Sequence, residues 1–214
     1  MILNELFKLK PTIVLSEGGN LELPNPNDPN APYQADEINL KIHDRSYIVP
    51  ILDKLLHDIN SAFYAKYKTP LWNPGLLQSK EFLGGSSVHF FNTKDISDKE
   101  FVKYKPKVGD IDTQCNKELE PQLEEFLTSF DHKPIGDSVL LGFSRGSEQY
   151  NALFQFQDPP IKVQIDFEFG KYDEETDKPD EWYRFSHSSE WVDVTAGVKG
   201  VFHKWLYRAL TSAH

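Results

Sequence analysis

The sequence predicts an α+β fold, a mixed β-sheet flanked by helices, and three observations carry that expectation. IKVQIDFEF, residues 161–169, alternates strictly. It sets Val163, Ile165, Phe167 and Phe169 on one face and Lys162, Gln164, Asp166 and Glu168 on the other, the pattern of a half-buried strand. Between Tyr47 and Lys66, Ile51, Leu52, Leu55, Leu56, Ile59 and Phe63 recur at helical spacing. Across all 214 residues, 39% are apolar and 13% aromatic, enough to fill the core of one sizeable domain.

The elements follow in order. Residues 17–35 are rich in Asn, Pro and Gly and read as loop wrapped over the surface. We therefore divide the chain into an N-terminal extension, 1–45, partly loop and packed on the domain, and a main domain, 46–214. The helix over 47–66 has Pro50 in its first turn and Pro70 beyond its end. TPLWNPGLLQS is a turn-rich link into FLGGSSVHFF, residues 82–91, where a strand-like run meets a glycine-serine turn. Residues 87–105 form a short helix or loop ending in the lysine-bearing FVKYKPKVGD. Glu118–Phe130 suits a second helix with Pro121 in its first turn. DSVLLGFSRG and NALFQFQ read as strands, DEETDKPDE (173–181) as a solvated acidic loop, and the C-terminal residues as an amphipathic helix. No internal repeat or long linker divides the chain.

Composition narrows the functional classes. The formal charge is −10, so a phosphate backbone is repelled except at a local basic patch, and strong non-specific nucleic-acid binding is not expected. Cys115 is the single cysteine, which rules out an internal disulfide and a thiolate zinc site. No apolar run has the length to cross a bilayer, and the first residues lack the pattern of a secretory signal. A cytoplasmic protein is the expectation.

The chemistry concentrates in three carboxylates. In VGDIDTQ, Asp110 and Asp112 lie two apart and share a strand face, with Ile111 turned to the core. Paired like charges on a sheet repel, and a divalent cation removes that penalty. Magnesium favours carboxylate oxygens together with substrate phosphates, so two or three acids suffice. Asp166 is the third candidate ligand if its strand lies beside the first, and Glu168 on the same face is its substitute. Gly84 and Gly85 let the backbone turn sharply and approach a ligand. Backbone N–H groups and the hydroxyls of Ser86 and Ser87 then offer donors to an anion. This combination suits phosphoryl or nucleotidyl transfer over two metal ions.

LGGSS, GDID and QIDFEF, in that order, resemble the pattern of the DNA polymerase β-type nucleotidyltransferases over roughly residues 47–170. The resemblance implies a nucleotidyltransferase-like fold that moves a nucleoside monophosphate from a nucleoside triphosphate, ATP among them, to an acceptor hydroxyl and releases pyrophosphate. It implies two Mg²⁺ ions, with Mn²⁺ as an alternative. Gly85 and Ser86 would bind the triphosphate, Asp110 and Asp112 would hold both metals, and Asp166 would complete one metal site and help activate the hydroxyl. The 23-residue spacer between Ser86 and Asp110 is longer than in many small members. The long helical tail of tRNA-tailing enzymes is missing from the pattern.

Secondary candidates complete the reading. Lys199 and Lys204 on the C-terminal helix are expected as a second clamp on the triphosphate. Lys103, Lys105 and Lys107 read as a solvated edge, with phosphate attraction as the alternative. Arg145 reads as a turn residue, with a phosphate or acceptor contact as its functional alternative. His187 and His203 read as packing or surface residues ahead of metal ligands. HSSEW, 187–191, carries no physical reading beyond an acceptor or base contact. The acceptor stays open among a small molecule, a protein and an RNA end. The rival class is a catalytically inactive module of the same fold that binds nucleotide or protein, and a metal-dependent phosphohydrolase on the same acids ranks third.

Overall fold

The computed structural model describes residues 21–28, 30–36, 38–39, 44–92, 97–104, 106–146 and 149–180. It is an α+β arrangement in which one five-stranded mixed sheet carries helices. The sheet runs β5 (Asp110–Asn116), β9 (Lys162–Gly170), β8 (Gln149–Phe156), β7 (Ser138–Arg145), β6 (Pro134–Ile135). β5 and β9 are parallel, and every other neighbouring pair is antiparallel.

The long helix α1 (Arg45–Tyr67) buries Ile48, Leu52, Leu55, Leu56, Ile59 and Phe63, the stripe its spacing predicts. It starts earlier than expected because the Asp44 carbonyl accepts from the N–H groups of Tyr47 and Ile48, at 3.0 and 3.1 Å. Pro50 therefore sits in the second turn. Lys68 closes the helix in the left-handed conformation, its N–H donating to the Tyr64 carbonyl. The TPLWNPGLLQS link contains a short helix, α2 (Pro74–Ser79), capped by the Asn73 side chain, which accepts from the Leu76 N–H. The long spacer resolves into α3 (Ser87–Phe91) and α4 (Asp98–Tyr104). The helix expected at Glu118–Phe130 is a 3-10 turn, Lys117–Leu119, running into α5 (Glu120–Phe130), with Pro121 at its start.

One sheet face packs on these helices. Ile111, Tyr150, Ala152, Phe154, Ile165 and Phe167 meet α1 and α5 through Ile59, Phe63, Leu123, Phe126 and Leu127 in a single core. The opposite face is the one that differs from expectation. β9 is more than half-buried: on its polar face Gln164 is 1% and Asp166 5% exposed, while Lys162 and Glu168 towards its ends stay partly exposed. The cause is position. β9 lies inside the sheet between β5 and β8, and Leu21, Leu23 and Ala35 cover part of the second sheet face. There β1 (Glu22–Leu23) and β2 (Tyr33–Gln34) form a small hairpin where loop was expected, and Leu21, Leu23 and Ala35 pack on Leu141 and Leu153. A further short pair joins β3 (Ile38–Asn39) to β4 (Lys107–Val108).

Two other expectations change. Residues 173–177 are exposed, as a solvated acidic stretch should be, but they form the turn of a hairpin in which β10 (Tyr172–Asp173) pairs with β11 (Lys178–Pro179). The run before the double glycine is not a full strand: Leu83 makes a single bridge to Thr113. The expected C-terminal helix lies outside the described residues. Among those residues, no helix is long and apolar enough to cross a membrane.

Candidate metal centre

Strand alternation puts Asp110 and Asp112 on one face of β5, and the parallel register with β9 does the rest. Asp112 stands directly beside Asp166, and Asp110 beside Gln164. One carboxylate oxygen from each of Asp110, Asp112 and Asp166 lies within 4.8 Å of the other two. Asp166 is thus the acid brought to the pair; Glu168, its expected substitute, stands one row further along, beside Gln114.

Asp166 is held where a carboxylate is least at ease. Burial pushes its pKa up to about 8, and the charges of Asp112 and Asp110 push the same way. Hydrogen bonds from the amides of Gln164 (2.8 Å) and Asn151 (2.7 Å) work against that rise. Three acids enclosing one small volume offer only hard oxygen ligands, the donor set that suits Mg²⁺, Mn²⁺ or Ca²⁺.

The glycine-serine segment is stitched to Asp112 through the backbone of β5. The Gly84 N–H donates to the Asp112 carbonyl at 3.0 Å, and the Asp112 N–H donates to Ser87 Oγ at 2.9 Å. One step earlier, the Gln114 N–H donates to the Phe82 carbonyl at 2.6 Å. Phe82 is fully buried, with its ring 4.6 Å from that of Trp72, whose indole N–H donates to the Gln114 carbonyl at 3.1 Å. This packing fixes the height at which the turn meets the carboxylates.

Gly85 has to be glycine for two reasons. Its φ is +50°, in the left-handed region, and a Cβ there would stand 2.0 Å from Asp112 Oδ2. Only a backbone without a side chain lets the Asp112 carboxylate lie against the turn. Of the four turn residues expected to meet a phosphate, Gly85 and Ser86 are partly exposed, while Gly84 and Ser87 are buried beneath them. What the structure shows of Ser87 is a bolt between turn and strand.

Other candidates sit elsewhere. Arg145 is at the end of β7, paired in register with Tyr150 and therefore on the helix-covered face, opposite the acids. It meets Glu120 at 3.5 Å and Glu124 at 3.2 Å on α5. Lys103 is exposed on α4 and Lys107 on β4. Lys105, Lys199, Lys204, His187, His203 and the HSSEW stretch fall outside the described residues. Sequence reasoning passed over Asn151 and treated Gln164 only as part of a polar face. The available signal was polar residues at inward positions of strands that are otherwise apolar, Gln164 two before Asp166 and Asn151 within YNALF.

Set against known proteins, the chain matches no family model, no curated protein and no solved structure.

Proposed function

We propose that this chain is a metal-dependent nucleotidyltransferase of the polymerase β type, moving a nucleoside monophosphate from a nucleoside triphosphate to an acceptor hydroxyl. The observation that carries the reading is the meeting of Asp110, Asp112 and Asp166 within 4.8 Å, against a glycine turn with no room for a Cβ. Either feature alone is common. Their contact, Gly85 against Asp112, joins a carboxylate cluster to a turn that a phosphate can approach.

Each residue then has a task. Asp110 and Asp112 would hold Mg²⁺, or Mn²⁺ in its place, and Asp166 would complete the set. When bound, such ions neutralise phosphate oxygens and make an attacking hydroxyl more acidic. Gly85 and Ser86 present the exposed edge of the turn to the triphosphate, while Gly84 and Ser87 keep that edge in register with Asp112. The chain supplies placement and charge, with no covalent step of its own.

The test is pyrophosphate release and label transfer from each nucleoside triphosphate with Mg²⁺, offered RNA ends, hydroxyl-bearing small molecules and the protein itself as acceptors. Asp110→Asn and Asp112→Asn should each lower transfer by about 10³-fold, the equivalent of a lost charge interaction of several kcal/mol. Circular dichroism should be unchanged. Transfer at the wild-type rate in both variants overturns the reading. Nucleotide binding with no pyrophosphate released for any acceptor replaces it with a non-catalytic binding module.

A further inference from the structure

Both amide donors to Asp166 land on the same oxygen. Asn151 Nδ2, directly across on β8, donates to Oδ1 at 2.7 Å, and Gln164 Nε2, two residues back on β9, donates to Oδ1 at 2.8 Å. Neither amide is free to turn over. Gln164 Oε1 accepts from the Leu21 N–H at 2.7 Å, in a buried setting. Asn151 Oδ1 accepts from Gln149 Nε2 at 3.2 Å. Reversing either amide would lose its outer bond and aim an oxygen at a carboxylate. A relay therefore runs from the N-terminal hairpin segment through Gln164 to Asp166, and a second from Gln149 through Asn151 to the same atom.

The chemical type of these donors matters. A lysine or arginine at either position would also satisfy a buried carboxylate, but it would cancel the negative charge that attracts a cation. Neutral amides stabilise the ionised form and leave the charge in place. They also occupy one oxygen and leave the other.

We propose that Gln164 and Asn151 are positioning residues of the cation site, gripping Oδ1 of Asp166 so that Oδ2 is the oxygen presented to metal, with Gln164 itself set by the backbone of Leu21. This rests on the reading of Asp110, Asp112 and Asp166 as a cation site. It adds that the N-terminal residues beside β1 are part of that site's support. Outer partners of this kind typically control metal affinity by about 10- to 100-fold.

The experiment uses the full chain and Mn²⁺ alone as probe, counting free ion by electron paramagnetic resonance and following thermal melting in parallel. Gln164→Leu and Asn151→Leu remove the donors at similar volume, Asp166→Asn is the loss-of-site control, and Leu127→Ala loosens the core on the helix-covered face, away from the relay. The expected result is loss of binding in Asp166→Asn, about 10- to 100-fold weaker binding in each donor variant, and affinity close to wild type in Leu127→Ala despite its lower melting temperature. Wild-type affinity in both donor variants, with binding still lost in Asp166→Asn, overturns the positioning role and leaves the cation site standing. Equal weakening in Leu127→Ala and the donor variants overturns it too, because general loosening then explains the effect. Mn²⁺ binding that is absent from wild type, or indifferent to Asp166→Asn, removes the cation site and this inference together.

Discussion

Arg45 and Asp166 are the two charged side chains buried among the described residues, 1% and 5% exposed, and their surroundings are opposites. Arg45 opens α1 and is answered by what a cation requires. Its Nε donates to Asp98 at 2.6 Å, Nη1 donates to the His89 carbonyl at 3.0 Å, and the guanidinium lies 4.7 Å from the Phe101 ring centre. Those partners come from α3 and α4, so one residue ties the long spacer to the body of the protein. Among the described residues, Asp166 meets two more carboxylates, with two neutral amides in support. A buried charge matched by its opposite is a fastening. A buried charge crowded by its own sign is destabilising, and on the function proposed above a bound cation would offset that cost.

The contrast predicts mutational effects of opposite sign, the largest at Asp166. Its carboxyl keeps a proton in the folded state up to about pH 8, whereas an unfolded aspartate releases it near 3.8. Between those values the folded chain binds more protons, so this group makes the metal-free protein less stable as pH rises from about 4, levelling off above about 8. Asp166→Asn should remove that slope and stabilise the metal-free protein at pH 8, on the order of several kcal/mol. Urea denaturation at pH 5 and pH 8 measures it. Mn²⁺ should then stabilise the wild type at pH 8 and leave the variant unmoved. A variant less stable than wild type at both pH values would place Asp166 with the fastenings.

At Arg45 the sign reverses. Arg45→Met keeps much of the volume but loses two charge-assisted hydrogen bonds, leaving the His89 carbonyl without that donor. Asp98 is 42% exposed in its side chain and can regain water, so the cost should be about 3 kcal/mol rather than the full price of an orphaned buried charge. No pH slope or Mn²⁺ effect should accompany it. Denaturant midpoints with and without Mn²⁺ separate this from a role in the proposed cation site.

How far the sequence revealed these two places follows from the range of the interactions. Periodicity is local, so α1, α5 and the strands β7, β8 and β9 were readable from spacing alone. Asp110 and Asp112 were readable because two residues apart on a strand is one face. Asp166 needed only the assumption that its strand lay beside theirs, and the parallel register supplies that. The enclosure of β9 was not readable, because alternation says which residues share a face and nothing about what covers it. The amide relay was hidden for the same reason, since Leu21 and Gln164 are 143 positions apart. α2 escaped because six residues between turn signals show too little period. Arg45 escaped because a single arginine at a helix start reads as a surface residue.

The smallest expected effect probes why Asp166 is crowded at all. Gly85 at φ +50° leaves Asp112 where it is, and a methyl group there would stand 2.0 Å from Asp112 Oδ2. In Gly85→Ala the carboxylate has to move, and the backbone conformation itself costs about 1–2 kcal/mol for a residue with a Cβ. Moving Asp112 eases one of the two like-charge contacts, so the Asp166 pKa should fall. The fall should be modest, because burial outranks both charges as the cause of the rise. Mn²⁺ affinity should drop with it, as one of the proposed ligands leaves the cluster. Carboxyl-carbon NMR of Asp166 across pH, beside Mn²⁺ binding, reads both. An unchanged pKa with unchanged affinity would mean that the glycine serves the turn alone, and that the closeness of the acids owes nothing to it.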